Sequence, residues 1–302
     1  MTPQNYYARR VARGRQQVEI DLVLALVQAE RELHPRLGTR KLYYLIKPEL
    51  DEAGVKMGRD RLFEIFSEKG MLVARRPSLW PKTTQVDANL PVFRNLVKTR
   101  VISAPNQVWV ADITYIRTRQ AFLYLALITD SWSRKIVGYY LGKTLETKTA
   151  LKALAMALKG LPAGQEPIHH SDRGCQYASH IYVQAIQEAG LMMSMTEQNH
   201  SAENAQAERV NGILKQEYWL DQDFAHEQEA RLATVQGIKL YNQRRPHGSL
   251  GFATPDQVHH AAENNAKNPT PPAPPQRCVP ARYAHLHCAL GREAAQPISQ
   301  RN

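Results

Sequence analysis

Three carboxylates in this chain fall where carboxylates are out of place. Asp112 interrupts the run Trp109-Val110-Ala111-Asp112-Ile113-Thr114-Tyr115, which has the texture of a buried strand. An acid there is costly unless it is paired or binds a cation. Asp172 follows Ile168-His169-His170-Ser171, at the carboxyl end of a second strand, where ligands gather in α/β sheets. Glu208 sits in the helical stretch Asn204 to Asn211. At helical spacing Asn204, Glu208, Asn211 and Lys215 share one face, while Val210, Ile213 and Leu214 cover another. Two-metal phosphoryl transfer needs such a trio. Hard cations such as Mg²⁺ prefer carboxylate oxygens, and two of them roughly 4 Å apart activate an attacking oxygen and stabilise a leaving one. His169, His170 and Cys175 would suit softer metals, but adjacent strand histidines point to opposite faces. Taken singly, each acid also reads as a surface charge, a cap or an ion pair, and Asp112 resists that reading best.

The elements that must position these acids are legible in outline. Val108–Arg117, Ala121–Thr129 and Lys135–Leu141 are short runs of β-branched, aromatic and aliphatic residues, which predicts an antiparallel meander. The middle run is almost wholly apolar, as in a sheet covered on both faces. A helix at Thr147–Leu158, a strand at Pro167–His170, a helix at Gln176–Ala189 and a strand at Leu191–Met195 follow, then helices at Ala202–Tyr218 and Glu227–Arg244. Antiparallel strands followed by alternating helices and strands predict a mixed α/β sheet. Upstream, the pattern predicts helices at 15–33, Thr39–Ile46 and Arg59–Lys69, the last burying Leu62, Phe63 and Phe66. Short helices around a glycine-containing turn suggest a helix-turn-helix, with Lys56, Arg59 and Arg61 displayed on or beside its third helix.

The chain carries 39 Lys and Arg against 28 Asp and Glu, a net charge of +11. Residues 1–107 hold 19 basic and 11 acidic residues, so most of the excess lies there. A basic amino-terminal third suits a polyanion such as nucleic acid. No apolar run is long enough to span a bilayer, and the Arg-rich start lacks the apolar block of a secretory signal. Cys175, Cys278 and Cys288 form no CxxC pair, which argues against a disulfide framework and fits the cytoplasm. The spacing of Cys278, His285, His287 and Cys288 matches no zinc pattern. The expected division is a helix-turn-helix-like domain (1–73), a basic linker (74–104), a catalytic core with a C-terminal helix (105–262), and a proline-rich, mostly disordered tail (263–302).

Asp112, Asp172 and Glu208, with 35 residues between the last two, resemble the DDE triad of retroviral integrases and bacterial insertion-sequence transposases. Asn106 to Tyr115 resembles the first-acid signature of their integrase core, His170 to Tyr177 the second, and Glu203 to Glu208 with Leu214 to Glu217 the third. Tyr241-Asn242-Gln243-Arg244-Arg245-Pro246-His247-Gly248-Ser249-Leu250 resembles the closing motif, and the region around Gly38-Thr39-Arg40-Lys41-Leu42 resembles the helix-turn-helix. The family commonly has Asp where Glu203 stands, and no HHCC zinc module precedes the core. The resemblance spans about residues 20–260.

It implies an RNase H-like five-stranded mixed sheet flanked by helices, two Mg²⁺ or Mn²⁺ ions held by Asp112, Asp172 and Glu208, and cleavage and joining of DNA ends. Lys215, where the family often carries a basic residue beside DNA, is expected to contact duplex DNA, with Asn204 and Asn211 beside it; Arg40, Lys41, Lys56, Arg59 and Arg61 are the expected DNA contacts of the amino-terminal domain. The implied partners are transposon ends and target DNA, further copies of the chain, and an upstream reading-frame product, the chain itself looking like the downstream one. The implied location is the bacterial cytoplasm, at the nucleoid. The alternatives are an RNase H-like nuclease that cleaves without joining and a non-catalytic DNA-binding regulator.

Overall fold

The structure is a computed structural model that describes residues 2–74, 91–197 and 204–265 of the chain. They divide into two compact units, one within Met1–Ala74 and the other within Arg75–Pro272.

The first unit is all helical: α1 (Pro3–Leu33), α2 (Thr39–Glu52) and α3 (Arg59–Glu68). Its core gathers Val23, Leu26 and Val27 of α1, Leu42, Leu45, Ile46 and Leu50 of α2, and Leu62, Ile65 and Phe66 of α3. Two boundaries differ from the sequence pattern. Helix α1 begins twelve residues before the expected position 15, with Thr2 Oγ1 accepting from the Asn5 amide and Pro3 in the first turn. That extension has no buried face, so it leaves no apolar period to read. Helix α2 runs through Pro48 to Glu52, because burial of Leu50 holds the last turn in the core despite the missing amide hydrogen. Phe63, expected in the core, is 53% exposed; Ile65 takes that place.

The second unit is built on β1 (Val108–Arg117), β2 (Phe122–Asp130), β3 (Ile136–Gly142), β4 (Ile168–Ser171) and β5 (Met192–Met195). They form one mixed sheet in the order β3-β2-β1-β4-β5. Strands β1, β2 and β3 are antiparallel, whereas β4 runs parallel to β1, and β5 parallel to β4. This is the RNase H-like sheet that the family resemblance implies. Both faces are covered. Trp109, Ala111, Ala126 and Ile128 pack against α4 (Thr147–Lys159) and the pair α5 (Cys175–Ala178) and α6 (His180–Glu188). Ile116, Leu123, Leu125 and Leu127 pack against α7 (Ala205–Glu217) and α8 (Glu227–Gln243). The expected helix over 176–189 is two helices, because Ser179 is extended and its hydroxyl caps α6 at the Tyr182 amide.

Two further segments complete the unit. Residues 91–104, which read as linker, lie against it: Phe93, Val97 and Ile102 pack on its cores, and the Asn95 and Leu96 amides donate to Glu197 and to Ser194 Oγ. Helix α9 (Pro255–Asn265) is not foreseen in the sequence. The pattern of apolar positions there is thin, and α9 is held by polar contacts, His259 Nδ1 with Ser133 Oγ at 2.9 Å and Lys135 with Asp256 at 3.0 Å.

Helix α4 lies so close to β3 that a methyl group on Gly138 would fall 2.3 Å from the Ala153 carbonyl oxygen and 2.8 Å from Ala157 Cβ. Gly138→Ala should therefore destabilise the protein by about 1–3 kcal/mol, the usual range for overpacking. Gly160→Ala, whose new methyl group meets nothing nearer than 3.7 Å, should change little. Thermal denaturation of both variants checks this, and an unshifted Gly138→Ala transition would contradict the packing.

Candidate active site

The parallel pairing of β1 with β4 decides where the acids meet. Its register sets Ala111 opposite Ser171, so the next residue on each chain, Asp112 and Asp172, are neighbours. Asp112 is still within β1, opposite Leu127 of β2, while Asp172 has just left β4. Residues 108, 110, 112 and 116 of β1 alternate toward α7, as the packing of Val108 and Val110 with Ala207, and of Ile116 with Val210, requires. Glu208 stands in the first turn of α7, exposed, on the helix that packs over β1.

Asp172 is held by a tight turn. Its Oδ1 accepts from the Gly174 amide at 3.0 Å, and a Cβ at residue 174 would meet that same oxygen at 3.0 Å and Gln176 Oε1 at 2.9 Å. Gly174 thus keeps room for the carboxylate. Arg173 points elsewhere, donating to the Thr196 and Glu197 carbonyls at 2.7 Å each.

Asp112 shows what the neighbours do to one another. Burial and then the negative charge of Asp172 push its carboxyl up to about 7, and the charge of Glu208 adds to the rise. Hydrogen bonds from Asn211 Nδ2 to Oδ2 (2.7 Å) and from the Ile113 amide to Oδ1 (2.9 Å) oppose it. All three acids therefore act in one field. Among the described residues no three His, Cys, Asp or Glu side chains lie close enough to enclose a metal ion. The trio supplies donor chemistry rather than a closed shell. Carboxylate oxygens beside the buried, unpartnered carbonyl oxygens of Asn204 and Asn211 fit a hard divalent cation and its waters.

The structure locates the three α7 residues expected beside DNA. Asn204, Asn211 and Lys215 do share a face, but that face meets β1 rather than solvent, and all three are buried. Asn204 Nδ2 donates to the Ala111 carbonyl at 3.3 Å, and Asn211 holds Asp112. Lys215 Nζ lies 4.4 Å from the centre of the Tyr115 ring. Burial lowers its ammonium to about 8, against the pull of Asp112 and Asp221. Arg40, Lys41, Lys56, Arg59 and Arg61 belong to the first unit; Arg59 is ion-paired with Asp60 and Arg61 with Glu64. Glu203 and the Cys278 to Cys288 cluster lie outside the described residues.

His169 and His170 are core residues on opposite sides. His169 Nε2 meets Tyr182 Oη at 2.9 Å, and burial pushes this imidazole down to about 3; His170 Nδ1 meets Ser194 Oγ at 2.9 Å. Sequence reasoning passed over Tyr177. Its buried hydroxyl has no hydrogen-bond partner among the described residues, and burial, with the charges of Asp112 and Asp172 among its neighbours, keeps it protonated. The closing motif also gains a role. Asn242 exchanges two hydrogen bonds with the Ile136 backbone at 2.9 Å, and Arg245 grips Glu217 of α7 through two bonds of 2.7 and 2.8 Å. These contacts fix the far end of the helix that carries Glu208.

Two family descriptions, both of an integrase core domain, match this chain, over residues 102–201 and 189–255. The insertion element IS600 31 kDa protein of Shigella sonnei is 38% identical over 245 residues, covering 80% of this chain and 88% of its own. The transposase for insertion sequence element IS629 of Shigella sonnei is 34% identical over 234 residues, covering 76% of each. The catalytic core domain of HTLV-2 integrase, solved in complex with magnesium, is 20% identical with a TM-score of 0.42, covering 55% of this chain and 100% of that one. Relatives matched over most of both chains, on a sheet spanned by the two core matches, place this chain in the family of insertion-sequence transposases with an integrase core domain.

Proposed function

We propose that this transposase cleaves DNA at the ends of its element and joins them to a target strand, with Asp112, Asp172 and Glu208 as its acidic triad. In the first step water displaces one oxygen of a phosphodiester and frees a 3′-hydroxyl. In the second that hydroxyl attacks a target phosphodiester, forming one P–O bond as another breaks. The observation that carries the assignment is the side-by-side placement of Asp112 and Asp172, with Asp112 pushed up to about 7 in a field that includes Glu208. Like charges held side by side are costly to maintain for structure alone, and perturbed carboxyl groups concentrate at working sites.

Asp112 and Asp172, completed by Glu208, would hold Mg²⁺ or Mn²⁺. Bound there, a pair of such ions supplies positive charge to the attacking and leaving oxygens of an in-line displacement. The chain's own part is to prepare the donors. Asn211 fixes the rotamer of Asp112, and the Gly174 amide fixes Asp172. Asn204 ties the start of α7 to β1, and the Arg245–Glu217 pair ties its end, which sets the distance of Glu208 from the strands. Duplex DNA is the substrate, several copies of the chain assemble on it, and an upstream reading-frame product is a further partner in this reading.

The acid assignment is tested with element-end DNA and Mg²⁺. Replacing Asp112, Asp172 or Glu208 by Ala should reduce cleavage and joining by about 10³-fold or more, as loss of about 4 kcal/mol of transition-state charge stabilisation would. DNA binding should persist. Joining by the Asp112→Ala protein would overturn the triad, and wild-type cleavage without joining would favour a nuclease instead.

Asp112 also gives a pH signature. Its folded value, about 7, lies above the ordinary 3.8, so the folded state takes up a proton that the unfolded state releases. In chelator, stability should therefore fall as pH rises from about 4 to 7. Asp112→Asn should remove that component and be more stable than wild type at pH 8 by at least about 1 kcal/mol. Denaturant midpoints at pH 5 and pH 8 for both proteins measure it; parallel pH dependences would show that Asp112 is not proton-linked.

A further inference from the structure

The strongest positive surface of the first unit is not on α3. Residues 59–69 carry three basic and three acidic side chains, and two of the basic ones are engaged, Arg59 with Asp60 at 3.0 Å and Arg61 with Glu64 at 2.9 Å and Glu68 at 3.8 Å. The opening of α1 is different. Residues 3–18 contain four arginines and no acid, the first being Glu19. Every residue from 3 to 14 is exposed, and Arg9, Arg10 and Arg13 are in no ion pair among the described residues. At about 100° per residue, Arg9, Arg13, Tyr6 and Arg10 fall within one sector of the helix about 100° wide. Tyr6 is 54% exposed between them. None of these side chains contributes to the three-helix core, which begins only at Ile20.

We infer that the amino-terminal half of α1, through Arg9, Arg10 and Arg13, is a phosphate-binding arm that grips the backbone of duplex DNA. The choice of DNA as the polyanion rests on the proposed function above. The charge is concentrated, outside any ion pair among the described residues, and on one face, which is what a phosphate backbone requires. Arg9 and Arg13 are separated by about 6 Å along the axis, the reach of about two successive phosphates of one strand at 3.4 Å axial spacing. Guanidinium groups bind phosphate oxygens as planar forks, and the Tyr6 hydroxyl adds a donor between them. Contacts of this kind position DNA without reading its sequence. The arm would thus account for binding strength, while α3, nearly neutral overall, is left to make shape or base contacts.

The test uses the full chain in chelator, so that no cleavage occurs, and a labelled duplex followed by fluorescence anisotropy across salt. The triple variant Arg9→Gln, Arg10→Gln, Arg13→Gln should bind about 10- to 100-fold more weakly near 0.1 M salt, with a salt slope shallower by about 2 to 3. Glutamine keeps helix propensity close to that of arginine, and the sites are outside the core, so folding is preserved. The corresponding triple lysine variant should restore the slope. Arg59→Gln with Arg61→Gln should cost less than the arm variant. An unchanged slope and affinity in the triple glutamine protein, or a larger loss from the α3 pair, overturns the arm. So does a glutamine variant that binds DNA normally but no longer binds polyglutamate, which would assign the surface to an acidic protein. The underlying functional reading fails separately: wild-type protein with Mg²⁺ would then leave element ends uncut while the arm-dependent salt slope remained.

Discussion

Two carboxylates forced side by side on parallel strands are the constraint around which this protein is arranged. The β1–β4 register leaves Asp112 and Asp172 adjacent. Dipoles hold the two side chains in place: the Asn211 amide and the Ile113 and Gly174 backbone amides. Dipoles orient a carboxylate without cancelling its charge. Burial and the crowding of negative charge therefore create a demand for positive charge, visible in the raised carboxyl of Asp112. In the proposed reading that demand is what selects a divalent cation and, through it, a phosphate.

Helix α7 answers the same constraint from above the sheet. Its polar face carries Asn204, Glu208, Asn211 and Lys215, and its apolar face packs Val210, Ile213 and Leu214 on β2 and α8 neighbours. Asn211 touches Asp112 directly, whereas Lys215 is seated over Tyr115, one step removed. A cation placed there tempers the acidic field without occupying the position of a metal ion. The closing motif, far along the chain, serves this helix too. A buried ion pair such as Arg245–Glu217 is strongly destabilising when one partner is removed, so it makes a firm anchor for the end of α7.

Much of this was legible in the residues themselves. The five strands stand out because both faces of the sheet are covered, so β1 and β2 read as apolar runs, and an acid in one of them is conspicuous. The polar face of α7 was also legible; its destination was not. Helical periodicity tells which residues share a face but not whether that face meets water or a polar position on a strand, and so the burial of Asn204, Asn211 and Lys215 against β1 could not be read from the residues. Helix α1 was truncated for the opposite reason. Its first four turns bury nothing, so no period marks them, and only their arginines and the Thr2–Pro3 start carry a signal. Tyr177 and Gly174 were invisible as individuals because their roles arise from how closely the β4–α5 turn approaches the acids.

The central claim is that Asp112 trades a proton for a divalent cation beside Asp172. Electron paramagnetic resonance of Mn²⁺ binding to the full chain between pH 5 and 9 tests it most directly. The account predicts an affinity that rises with pH and levels off above about 7, with the pH dependence abolished in Asp112→Asn. Mn²⁺ binding that is pH-independent in wild type, or unchanged by Asp112→Asn, would contradict it.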